Sequence, residues 1–251
     1  MNIGKIAKGI YALWYREFKV FLRERSRIIS SLFLPLFWYF IFGEGVGSIA
    51  TVSGNYNYFI FPGFLAMTII FSALFNGAYI VYDKKVDFLK EVLVTPLSRT
   101  TIFVGKVLGG MTDCLLQAFI LLVIGIFLGI PFTLLSVPLS IVMLFFLAVG
   151  LVSLGLIIGA FMESPEGYGL VASFVVYPIF LLSGALYPLD NLPAWLKAIT
   201  FINPATFAVD GLRNAIIHTS SFSFIVDLGI VLGFDVLLII AGAWAFNKMK
   251  L

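Results

Sequence analysis

Charge is scarce in this 251-residue sequence: Asp, Glu, Lys and Arg together make up 12% of it, against about 25% in an ordinary soluble domain. So few polar groups cannot cover a water-exposed surface when 61% of the residues are apolar and 27 of them are Phe. Cysteine occurs once, at Cys114, and histidine once, at His218. The lone thiol excludes an intramolecular disulfide and a cysteine-based metal cluster. The lone imidazole has no carboxylate–histidine spacing around it, so it reads as a surface or interface side chain and not as a metal ligand. No Gly-x-x-x-x-Gly-Lys-Ser/Thr loop is present, and Gly105-Lys106 sits between Ile102-Phe103-Val104 and Val107, which is no phosphate cradle. Sustained polar/apolar alternation is also missing, which excludes a membrane β-barrel.

What is there is a series of long uncharged runs. A hydrocarbon core of about 30 Å takes about 20 helical residues. Six segments meet or approach that length: Ile28–Gly43, Tyr58–Tyr82, Phe103–Leu128, Leu134–Met162, Tyr168–Tyr187 and Ile225–Asn247. The uncharged run from Cys114 to Met162 is too long for one crossing, and Gly129-Ile130-Pro131 divides it with a tight reversal. The fourth segment is long enough to tilt or to bend at Pro138. The fold class expected is an all-α polytopic membrane protein with six transmembrane helices. Residues 1–27 mix charge throughout and lack a continuous apolar stretch, so they are expected to be retained rather than removed as a targeting peptide.

The basic residues fall on one side of this arrangement. Lys5, Lys8, Arg16, Lys19, Arg23, Arg25 and Arg27 precede the first segment; Lys84, Lys85, Lys90, Arg99 and Lys106 follow the second; Lys248 and Lys250 close the chain. The other side receives only Lys197 and Arg213. Because loops rich in Lys and Arg stay cytoplasmic, this asymmetry predicts a multi-pass plasma-membrane protein with both termini in the cytoplasm. The same distribution speaks against nucleic acid as a partner, since the net charge of +3 flanks apolar segments and forms no basic domain.

Two cytosolic pieces have helical periodicity. Ile3, Ile6, Ile10, Leu13, Trp14, Phe18 and Phe21 recur at helical spacing with Lys5, Lys8, Arg16, Lys19 and Arg23 largely between them. That pattern fits a helix lying in the headgroup region against membrane lipids, and equally a cap packed on the bundle. Over Asp83–Val94, Val86, Leu89 and Leu93 share a face opposite Lys84, Asp87, Lys90 and Glu91, with Pro96 as a stop and Ser98 or Thr100 as the next cap. Such a piece fits a groove on a soluble partner, or serves as a plain linker helix.

Two further stretches complete the pattern. Leu182-Ser183-Gly184-Ala185-Leu186-Tyr187-Pro188-Leu189-Asp190-Asn191-Leu192-Pro193-Ala194-Trp195 is followed by Asn203-Pro204-Ala205-Thr206 and Asp210-Gly211-Leu212-Arg213, and Leu89 through Lys106 contains Thr95-Pro96-Leu97-Ser98-Arg99. With these motifs the whole chain resembles the membrane subunit of an ABC exporter of the ABC-2 type. The resemblance implies residues 1–27 as a cytosolic interface helix region, residues 28–251 as the transmembrane domain, and short re-entrant helices over Pro188–Arg213. It implies a coupling helix whose contacts to a nucleotide-binding subunit are Asp83, Lys84, Asp87, Phe88, Leu89, Lys90 and Glu91. It also implies a homodimer or paired membrane subunits with two ABC ATPase subunits. ATP and Mg2+ then belong to those partners, and this chain binds no cofactor and catalyses nothing. The expected cargo is a hydrophobic or amphipathic drug, lipid or lipid-linked glycan. A secondary transporter and a non-transporting membrane scaffold are the rival readings.

Five residues are candidates for a gate or path: Glu163, Glu166, Asp210, Arg213 and Asp235. Glu163 and Glu166 frame Pro165 at a segment boundary, as an opening or simply an acidic turn. Asp235, like Asp113 and Asp227, carries a carboxyl into or near an apolar segment, where it must line an aqueous path or be held by a partner group. Gly63, Gly77, Gly109, Gly110, Gly150, Gly155 and Gly159 are expected to permit close helix approach.

Overall fold

The computed structural model describes residues 3–45, 55–95, 97–189 and 192–249, and the regular structure among them is helical. In chain order the helices are α1 Ile3–Arg23, α2 Arg25–Gly45, α3 Tyr56–Asn76, α4 Ala78–Lys85, α5 Phe88–Leu93, α6 Arg99–Phe127, α7 Ser136–Phe161, α8 Pro165–Leu181, α9 Ala194–Thr200, α10 Pro204–Ile217 and α11 Phe224–Lys248. Among the described residues, five stretches are long and apolar enough to cross a membrane: α2, α3 continued by α4, α6, α7 and α11. The chain is thus an all-α polytopic membrane protein. The fifth expected crossing, α8, has 17 residues, or about 25 Å of helix at 1.5 Å per residue.

Local chemistry sets these limits. Ser98 caps α6 by accepting from the Thr101 N–H at 3.1 Å, and Ser164 caps α8 through the Gly167 N–H at 3.1 Å. Pro165 then occupies the first turn of α8, where a missing N–H costs nothing. This starts the helix ahead of the expected Tyr168, and Gly184 at φ 73 follows its early end. Pro138 falls in the first turn of α7, where it needs no bend. Gly129 at φ 75 makes the reversal between α6 and α7.

The expected continuous helix over Asp83–Val94 is divided. Asp83–Lys85 ends α4, Asp87 takes the left-handed conformation at φ 57, and only Phe88–Leu93 forms α5. Aspartate tolerates that conformation better than most residues, so the chain turns there. Pro96, Asp190, Asn191 and Lys250 lie outside the described residues, as do the side chains of Ile3, Lys5, Lys90 and Leu93.

The bundle is centred on α3, whose face from Ile60 to Leu74 is buried almost without interruption. Helix α7 crosses the α3–α4 junction at glycines. A Cβ on Gly155 would stand 2.9 Å from the carbonyl oxygens of both Ala73 and Leu74, and Gly159 lies against Gly77 and Ile80. Gly77 itself abuts Gly155 and the Tyr168 hydroxyl, and that hydroxyl donates to the Leu74 carbonyl. Small residues let the backbones meet without side-chain spacers, which is how apolar helices associate where water provides no drive. Helices α2 and α11 sit at the rim, with Phe33, Phe37, Phe40, Ile225, Leu237 and Ile240 exposed.

Candidate functional site at the charged end of the bundle

The amino-terminal helix brings two adjacent charges to one end of the bundle. Close packing of α1 on α6, at Leu13 against Gly105 and Glu17 against Gly109, places Arg16 and Glu17 beside α4 and α6. There Lys106 Nζ lies 2.9 Å from Glu17 Oε1 and 2.6 Å from Asp83 Oδ2, while Arg16 lies 2.8 Å from Glu17 Oε1 and 2.9 Å from Asp83 Oδ1. Two cations and two carboxylates close a neutral ring. Lys106 is 4% exposed and Asp83 6%, so these two charges depend on their ring partners for solvation, while Arg16 reaches water. Arg16 also stacks its guanidinium 3.8 Å from the Phe88 ring centroid, tying the ring to α5.

A second network lies beside it. Arg27, just inside α2, donates to Asn76 Oδ1 at 2.5 Å and lies 3.5 Å from Asp113 Oδ2. Tyr79 donates to Glu24 Oε2 at 2.5 Å. These contacts join the α1–α2 break to α3, α4 and α6.

Two more cations bind helix ends. Lys84 Nζ donates to the carbonyls of Gly159, Ala160 and Met162 at 3.0, 2.6 and 3.3 Å. Arg99 Nη1 donates to those of Phe246, Asn247 and Met249 at 3.1, 3.1 and 2.9 Å. The last carbonyls of α7 and α11 have no partner within their helices, and both lie at negative dipole ends. A cation satisfies both needs.

The residues singled out from sequence thus divide by burial. Asp83 and Leu89 are buried and Lys84 is turned onto α7, whereas Asp87 and Glu91 are exposed and Phe88 is half-buried beneath Arg16. Val86 and Val94, on either side of α5, are 69% and 85% exposed. Glu163 and Glu166 are exposed around the start of α8 at this same end.

The other three gate or path candidates lie elsewhere. Asp210 accepts from the backbone N–H groups of Ser221 and Phe222 at 2.9–3.0 Å, fixing the approach to α11. Arg213, 7% exposed, donates to the Gly184 carbonyl at 2.6 Å and stacks 3.8 Å from Phe59. Asp235 is buried against Gly150 of α7, and among the described residues no hydrogen-bond partner reaches its Oδ2. The five are therefore not one cluster. His218 ends α10 in the left-handed conformation, exposed.

Sequence reasoning missed Glu17, Arg27 and Lys106 as site residues. Counting charges places Lys106 among the flanking cations, yet it falls inside the first turn of the segment Phe103–Leu128, where a cation needs a partner. The nearby carboxylates Asp83 and Asp113 were the available signal.

The comparisons agree with this architecture. Residues 8–217 match the family model described as ABC-2 type transporter. The ycf38 protein of Cyanophora paradoxa, whose name includes transport permease, is 30% identical over 221 residues, covering 84% of this chain and 75% of the relative. The inner membrane transport permease YadH of Escherichia coli (strain K12) is 28% identical over 232 residues, 91% of this chain and 90% of YadH. YbhR of the same organism, whose name includes multidrug ABC transporter permease, is 28% identical over 173 residues, 68% of this chain and 47% of YbhR. The chain belongs to the ABC-2 type transporter family, as a non-catalytic transmembrane permease subunit of an ABC transporter system.

Proposed function

We propose that this permease is the membrane half of an ATP-driven exporter of hydrophobic or amphipathic molecules, assembled as a dimer of membrane subunits with two ABC ATPase subunits. The excess of Lys and Arg at the α1, α4–α5 and α11 end supports a cytoplasmic location for both termini. ATP and Mg2+ are then bound by the partner chains. In this reading α8 is the sixth crossing helix, completed by the turn that follows it, and α9 and α10 re-enter the outer leaflet. Backbone satisfaction supports the re-entrant assignment: Asn203 donates to the Ile179 carbonyl at 2.7 Å, Thr206 to the Leu182 carbonyl at 3.2 Å, and Arg213 to that of Gly184. Broken helices enter hydrocarbon only where such groups are met by protein. Residues 1–27 are the cytosolic interface region and 28–251 the transmembrane domain.

The observation that carries the coupling assignment is α5. It is a six-residue helix with an exposed valine on either side, an exposed Glu91, and Phe88 stacked under an arginine of the buried ring. Apolar area with charges for register suits a groove on a soluble partner. Asp83, Lys84, Asp87, Phe88, Leu89, Lys90 and Glu91 then form one functional unit, in which the buried members hold the exposed ones in place. Because Leu89 is part of the core, the exposed valines give the cleaner test. The tagged permease is expected to co-purify with an ABC ATPase in mild detergent, and Val86→Asp with Val94→Asp to abolish that co-purification without changing the permease's own elution. Undiminished ATPase binding by the double variant contradicts the assignment.

The cargo class is supported by aromatic side chains along α3 and α8. Phe71 meets Tyr177 edge-on at 5.7 Å, and Phe75, Leu170, Phe174 and Tyr177 are exposed. As a facing pair in a dimer, this surface gives an aromatic-walled path. Glu163 and Glu166 stand at its cytosolic mouth as gate residues, whereas Asp210, Arg213 and Asp235 act on the path through the helices they hold. The multidrug name of YbhR is in keeping with a cargo of this kind.

A further inference from the structure

The coupling segment is clamped at both ends. Lys84 immediately precedes the turn into α5, and Arg99 opens α6 immediately after the segment; between them lie all the residues of α5 and its flanking loops. Each carries its charge onto three backbone carbonyls at the end of a different helix, the last including the capping residue: α7 and Met162 for Lys84, α11 and Met249 for Arg99. These two helices pack along one another, with Asp235 of α11 set against Gly150 of α7.

We infer that Lys84 and Arg99 are positioning residues that transmit movement of the coupling segment to the α7–α11 pair. The inference rests on the assignment of α5 as the coupling helix. Its physical basis is position: chain continuity joins the segment to α4 and α6, which pack on α7 and α11 at Ile80 against Gly159 and Phe103 against Gly242, and Lys84 and Arg99 add a polar tie at the helix ends nearest the segment. A side chain holding three carbonyls at a helix terminus restrains that terminus against both translation and rotation. Backbone acceptors also make the clamp independent of the side chains on α7 and α11. A displaced coupling segment therefore moves the near ends of α7 and α11 in step with α4 and α6, and α7 conveys the shift to its glycine crossing with α3.

The test uses paired spin labels and electron paramagnetic resonance on the permease–ATPase complex in nanodiscs. Cys114 is buried, so introduced exposed cysteines are labelled selectively. One pair, Lys85→Cys with Phe161→Cys, reports the α7 clamp; the other, Thr100→Cys with Asn247→Cys, reports the α11 clamp. None of these four positions belongs to the surface altered in the co-purification test. In the parent, both distance distributions are expected to stay narrow and superimposable between the nucleotide-free and ATP–vanadate states. Lys84→Met is expected to shift or broaden only the first pair by several ångströms, and Arg99→Met only the second. Arg99→Lys is expected to restore the parent behaviour, because a single nitrogen makes all three contacts. Lys84→Gln and Arg99→Gln serve as milder variants where the methionine forms do not assemble.

Parent distances that change with nucleotide as much as those of the variants overturn the inference, as do variants with unchanged distributions. Failure of the coupling assignment itself is visible separately, as absence of a bound ATPase. In that case the same label pairs on the permease alone still show whether the clamps exist, and the transmission role is lost.

Discussion

Lys106 shows how one side chain can organise one end of a membrane bundle. It lies in the largely apolar α6, 4% exposed, and is held by Glu17 and Asp83 while Arg16 closes the ring. Removing a single member of a buried ion pair leaves uncompensated charge and costs about 3–5 kcal/mol. Lys106→Met is therefore expected to lower the thermal unfolding midpoint of the purified permease markedly. Lys106→Met combined with Asp83→Leu leaves Arg16 and Glu17 to neutralise each other, and is expected to recover much of the loss. A double variant no more stable than the single one contradicts the ring as an energetic unit. The ring was only partly legible in sequence: Lys106 and Asp83 were each noticed, but one was assigned to orientation and the other to a partner contact. Their pairing needs the α4–α6 juxtaposition, and Glu17 enters only because α1 packs on α6 instead of lying apart from the bundle.

At the scale of helices, the periodic segments were legible because a long apolar run must pair its own backbone in lipid. The sequence segments Ile28–Gly43 and Ile225–Asn247 correspond within a few residues to α2 and α11. What was not legible was where short-range chemistry overrides composition. Asp87 in the left-handed conformation splits the Asp83–Val94 helix, and Pro165 behind Ser164 starts α8 early. Glycines were legible as contact points but not by partner. Gly155 meets the backbone of α3, whereas nothing stands within 4 Å of a Cβ on Gly233. Gly155→Ala is accordingly expected to destabilise the permease by about 1–3 kcal/mol through overpacking. Gly233→Ala is expected to be neutral, or slightly stabilising because alanine favours helix. Thermal unfolding of both variants in the same detergent checks the contrast, and equal effects contradict the crossing geometry.

For the whole molecule, the two ends of the bundle differ in chemistry. One carries the ring, the two cationic clamps, α5 and the carboxyl-terminal end of α11; the other carries α9, α10 and the Asp210 and Arg213 contacts. With this polarity, single cysteines at Lys8 and Asn247 are expected to react with a membrane-impermeant maleimide only in inside-out vesicles. A cysteine at Thr219 is expected to react only from the outside of intact cells. Reaction of Lys8→Cys and Thr219→Cys from the same side contradicts the topology.

The proposed meeting of α5 with a separate ATPase, at the end of the bundle opposite α9, is read by photo-cross-linking. A photoreactive amino acid at Val94 is expected to form a permease–ATPase adduct in native membranes, and the same group at Trp195 is expected to form none. An adduct from Trp195, or its absence from Val94 while the complex remains assembled, contradicts the account.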